Sequence, residues 1–172
     1  MRKQRHQEAE ATSELRLWTH AEAVKALPYL RSIVRSLREH WLHLQRVRLQ
    51  VRRLDARPGR PDRQALIVRA EAAREAERAA DHFNEALREL EAIDVYCLDP
   101  SGGLALIPFR EGEELAWFVF DLFAPQGLEA WRFHADSLET RRPLAERLDP
   151  GSVDRVFSSP SGTSWLSQAG RP

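Results

Sequence analysis

ARPGRP, residues 56–61, decides how this chain folds. Two prolines and a glycine within six residues stop a helix and turn the chain. Helical spacing lies on both sides of the stop. Upstream, Leu27, Leu30, Val34, Leu37, Trp41, Leu44, Val51 and Leu54 fall on one face of a long helix. Downstream, Leu66, Ala73, Ala76, Ala80, Phe83, Leu87 and Leu90 form the seam of a second helix predicted over about 62–93. A short connection makes two such helices antiparallel neighbours, so the expected product is a long helical hairpin.

The start of the first helix is also written locally. Thr19 followed by Glu22 is a capping-box pattern, in which each side chain satisfies an orphan N–H of the first turn. Pro28 lacks an N–H and its ring presses on the preceding turn. It predicts a kink, or a short helix over 20–27 joined to a long one from about 29.

Each helix carries more apolar surface than one seam uses. The second has an edge of Ala72, Ala79, Ala86 and Ile93. The first has Ile33 and Val47, with Leu42 and Leu49 on yet another side. A sheet or another subunit must cover this surplus. Leu42 and Leu49 are therefore the interface candidates, and they imply a homodimer or a protein partner.

From residue 94 the period changes. DVYCLD, LALIPFRE, LAWFVFD and LEAWRFH are short apolar stretches separated by turn residues. Helices first and strands after make an α+β fold: a helical hairpin followed by a small antiparallel sheet of three to four strands. Pro108 cannot donate to a ladder, so it predicts an edge or a bulge. The reading is one domain over 16–148. A disordered segment is expected over 1–15. A flexible Ser/Gly/Pro-rich tail is expected over 149–172, with Trp165 inside it.

Composition bounds the partners. Basic and acidic residues balance at 26 each, so bulk charge argues for neither nucleic acid nor membrane. Cys97 is the single cysteine and allows no intrachain disulfide. With a polar N-terminus free of a signal-peptide pattern, this fits a cytoplasmic protein. The hairpin tip holds Arg46, Arg48, Arg52, Arg53, Arg57, Arg60 and Arg63. The glutamates of the returning helix are expected to pair with them, which disfavours nucleic acid.

No cofactor is implied, and no metal site. Helical metal sites bring ligands together on facing helices, and the seam spacing points His40, His43 and His82 apart. The best anion-binding candidates are Arg132, His134 and Arg141, in WRFHADSLETRRPL. Alternation puts Arg132 and His134 on the polar side of a strand. Guanidinium forks suit carboxylate or phosphate, and a histidine titrates near neutral pH. Asp136 is placed to orient His134, whereas Arg142 is expected to face solvent.

Several of these segments carry a resemblance. LWTHAEAVKALPYLRSIV (17–34), GLALIP (103–108) following Asp99, LAWFVFDL (115–122), Phe133-His134 and RRPL (141–144) occur in order. In this the chain resembles the uncharacterised bacterial domain-of-unknown-function family 2203. The resemblance implies a long hairpin leading into a Gly-Leu-x-x-x-Pro strand. It also implies that Arg141 and Pro143 are family features. It brings no activity with it. The reading is thus a non-catalytic structural or interaction domain, with an Arg/His anion-binding protein or enzyme as the alternative.

Overall fold

The computed structural model describes residues 15–148. The first 14 residues and the tail from 149, with Trp165, lie outside the described residues. The helix α1 spans His20–Asp55 and α2 spans Arg63–Glu91. Thr19 caps α1 as expected: its backbone N–H donates to the Glu22 carboxylate at 2.8 Å, and the Glu22 N–H donates to its hydroxyl at 3.2 Å. Asp62 caps α2 by accepting the Ala65 N–H at 2.7 Å.

Pro28 does not divide α1, which runs through it. The N–H that Pro28 lacks is the partner of the Val24 carbonyl. Val24 and Pro28 both face solvent, so water takes the missing bond's place at small cost.

The strands β1 (Tyr96–Asp99), β2 (Leu104–Glu111), β3 (Glu114–Asp121) and β4 (Leu128–Phe133) match the four apolar stretches. A fifth, β5 (Arg142–Pro143), joins β4 through Ala130 and Trp131, and a short helix α3 (Leu144–Leu148) follows. The sheet is an antiparallel meander in the order β1-β2-β3-β4-β5. It has one strand more than the three to four expected.

Pro108 sits in β2, an interior strand, opposite Trp117. Its carbonyl points away from β3 and accepts the Trp18 N–H at 2.8 Å, beyond the end of β1. The ladder to β3 therefore loses no donor, and the edge expected at Pro108 is only a local one.

One sheet face packs on the hairpin. Ala105, Ile107 and Phe109 of β2 and Ala116, Phe118 and Phe120 of β3 share one core with Leu30, Ile33, Val34, Leu37, Ala86 and Leu90. Period-two alternation sends these to one side, and the steps of three and four send the helical residues to meet them. The surplus apolar edge of α1 is thus partly covered by the sheet.

The α2 seam differs from expectation. Ala72, Ala79, Ala86 and Leu90 are its buried residues, whereas Leu66 and Ala73 face solvent. The alanine stripe turns inward because small side chains let two helix axes approach. Phe83 and Leu87 pack beside this stripe against the core.

Candidate functional site

The Arg-Pro segment forms a latch centred on Asp136. Its carboxylate accepts the Phe133 N–H at 2.8 Å and three bonds from the Arg142 fork, two from Nη2 at 2.9 Å and one from Nε at 3.3 Å. Arg142 also lies over the rings of Trp131 and Phe133, at 5.5 and 5.0 Å. A planar guanidinium is suited to both contacts at once. The expectation that Arg142 faces solvent is therefore corrected. It pairs directly with Trp131 across β4 and β5, which turns its side chain to the face where Trp131 and Phe133 lie.

Arg132, adjacent to Trp131 on β4, takes the opposite face and is 3% exposed. Its guanidinium donates to the backbone carbonyls of His134 and Asp136. Its Nε has no hydrogen-bond partner among the described residues. His134 is exposed, and its Nδ1 accepts the Trp117 indole N–H at 3.1 Å. That bond holds only while Nδ1 is unprotonated. Asp136 does not orient His134: its carboxylate is taken by Phe133 and Arg142. Arg141 is exposed and donates to the carbonyls of Leu138 and Thr140, at 2.7 and 2.9 Å. Arg132 thus holds the backbone at His134 and Asp136, His134 holds Trp117, and Arg141 holds its own loop.

The latch has a pH signature. The Phe133 N–H, and after it Arg142, hold the Asp136 carboxyl below the usual carboxylate range. A depressed folded-state pKa contributes stability that is complete above the unfolded value, about 4, and is lost as pH falls through the folded value. Asp136→Asn removes that contribution. In urea unfolding from pH 7 to pH 2.5, the gap between the parent and Asp136→Asn is expected to narrow below about pH 4. A gap that stays constant across this range would show that the latch carries no charge linkage.

Other titratable groups among the described residues are held in separate places. Burial pushes the Cys97 thiol up to about 11, so little thiolate exists at neutral pH. His40 and His82 meet across the hairpin with ring centroids 5.7 Å apart. The expectation that these two point apart is corrected, while His43 turns to Glu75 at 3.1 Å. No group of three or more His, Cys, Asp or Glu side chains that could hold a metal ion occurs among the described residues. A groove of about 460 Å³ runs between Val24 and Leu27 of α1 and Leu128 at the start of β4, with His20 and Glu129 on its rim. None of the three predicted site residues lines it.

What remains is the arm. At about 1.5 Å per residue the 36-residue α1 is roughly 54 Å long. Its core residues that pack with the sheet end at Leu37. Beyond that level Leu42 and Leu49 are 38% and 47% exposed. They are seven residues apart, about 10 Å, on one stripe of the helix. Arg46, Arg52 and Arg53 lie three or four residues from Leu49 and surround it.

A basic helical arm on a five-stranded antiparallel sheet, with its polar loop residues engaged internally, defines an α+β protein with an exposed helical surface. The chain belongs to the family of uncharacterized conserved proteins DUF2203, whose model matches residues 16–121. That match contains both helices and the first three strands, and it ends short of β4 and the Arg-Pro segment. No curated protein and no solved structure matches the chain. No helix among the described residues is long and apolar enough to cross a membrane.

Proposed function

We propose that the protein is a non-catalytic interaction domain that works through its helical arm. The observation that carries this reading is the exposure of Leu42 and Leu49 on the outer face of α1. Two leucines on one stripe suit an amphipathic helix laid along the arm. Arg35, Arg46, Arg52 and Arg53 flank that stripe, with Glu39 the acid near Leu42. Such a surface fits a partner protein whose docking helix is acidic. It suits a second copy less well, because antiparallel self-pairing of the stripe centres near residue 45 and sets Arg46 against its own copy.

The test uses a fluorescein-labelled model peptide, with leucines at i, i+3, i+4 and i+7 and glutamates elsewhere. The full chain is expected to remain monomeric by light scattering and to bind this peptide. Leu42→Ser/Leu49→Ser is expected to weaken binding about tenfold, as two truncated apolar contacts do. Equal binding by the double variant overturns the docking surface. A dimer that the double variant dissolves assigns the stripe to a second copy instead.

A further inference from the structure

We infer that the tip of the helical arm binds the phosphodiester backbone of a nucleic acid. Between residues 46 and 69 the chain holds eight arginines against Asp55 and Asp62. The whole chain is neutral, so this surplus of six positive charges at one end is matched by an acidic surplus elsewhere. The neutral average thus conceals a dipolar distribution, and a localised basic patch is the electrostatic footprint of a nucleic-acid surface.

The expected pairing of these arginines with glutamates is not found. Arg46, Arg48, Arg52, Arg53, Arg57, Arg60 and Arg63 are all exposed. None makes an ion pair among the described residues. Both tip acids are already engaged: Asp55 with Arg69 at 2.5 Å, and Asp62 in capping α2. The glutamates of α2 begin at Glu71, and Glu75 is taken by His43 and Arg78.

Shape supports the same ligand. At the apex Arg57, Arg60 and Arg69 line a concavity of about 230 Å³ whose wall contains Pro58, Gly59 and Pro61. Gly59 has φ +94°, a conformation that lets the turn fold back on itself. Two prolines fix the neighbouring φ angles, so the arginines are presented from a stiff loop. No Phe, Trp or Tyr lies between residues 42 and 82 to stack on a base, and His43 is turned to Glu75. The tip therefore contacts backbone and does not read sequence. From Asp55 to Gln64 there is no large apolar side chain, while Leu66 and Ile67 are exposed on the first turns of α2, so the vesicle arm of the test below separates a lipid surface from a nucleic acid.

Fluorescence anisotropy of labelled 20-mer duplex DNA and of a labelled 20-nucleotide single strand, titrated with the full chain from 50 to 200 mM salt, tests the inference. Binding at low salt is expected, with affinity falling steeply as salt rises. Arg57→Ala/Arg60→Ala/Arg63→Ala is expected to weaken duplex binding about tenfold or more at low salt. It should also lower the slope of log K against log salt by about 2.7, three contacts at about 0.9 each. A control of equal charge, Lys25→Ala/Arg74→Ala/Arg88→Ala, is expected to leave binding within about twofold. These positions lie away from the tip, and Leu42 and Leu49 are intact in both variants, so peptide docking is read separately. Absence of binding at 50 mM salt, equal losses in the two triple variants, or binding to anionic phosphatidylserine vesicles alone would overturn the proposal.

Discussion

Phe118→Ala is expected to destabilise the protein by about 3–5 kcal/mol, the range for deleting a fully buried aromatic ring. Phe118 occupies the middle strand of the five and is 0% exposed. Its ring stacks on Phe109 with centroids 3.9 Å apart, and His20 at the start of α1 meets it edge-on at 5.8 Å. The Arg147 guanidinium of α3 lies 5.7 Å from the same ring. One side chain therefore ties β2, β3, α1 and α3 together. Urea unfolding of Phe118→Ala is the measurement. Phe123→Ala, at a ring 65% exposed on the β3–β4 turn, is the control and is expected to change stability by less than about 1 kcal/mol. A loss at Phe118 no larger than at Phe123 would mean that this sheet face is not the one the hairpin covers.

Features encoded over a few neighbouring residues were legible in the sequence. The Thr19–Glu22 box, the ARPGRP turn and the four longer strands are each specified within a turn or a short run, so no tertiary information was needed. What escaped the sequence depends on partners distant along the chain. Two residues of β5 carry no period of their own and are strand only because Ala130 and Trp131 pair with them. The solvent-facing expectation for Arg142 fails for the same reason. Its phase is set by pairing with Trp131, which points Arg142 at Asp136 and leaves Arg141 to bind its own loop. The charge balance misled most at the tip. Whole-chain neutrality and nearby glutamates suggest pairing, but Asp55 and Asp62 are engaged with Arg69 and the α2 N-terminus, and Glu75 with His43 and Arg78.

The two ends of the molecule hold their arginines differently. In the β4–β5 latch, arginine and aspartate satisfy one another and the backbone, and an arginine that looked free in the sequence is not. At the arm tip, arginines that looked paired are exposed. A guanidinium whose N–H groups are committed to fold contacts has few left to donate to a ligand, while an exposed one without a protein partner keeps its donors for an anion.

Ala79→Leu is expected to cost about 1–3 kcal/mol, because the added branch must enter a closely packed helix seam. Ala79 is 1% exposed and lies on α2 between Glu75 and His82, the residues that meet His43 and His40 of α1. The alanine stripe of Ala72, Ala79 and Ala86 recurs every seven residues. It sets how closely the two helices approach, and a leucine there has to push them apart or leave its preferred rotamer. Ala73→Leu makes the same chemical change on the solvent face of the same helix. It is expected to alter stability by less than about 0.5 kcal/mol, with leucine and alanine both good helix formers. The pair of variants, compared by urea unfolding, reads the rotation of α2 about its own axis. Opposite outcomes, a cost at Ala73 and none at Ala79, would restore the seam of Leu66, Ala73, Ala76 and Ala80 and turn the whole α2 surface of the arm through about 100°, one residue of helical rotation.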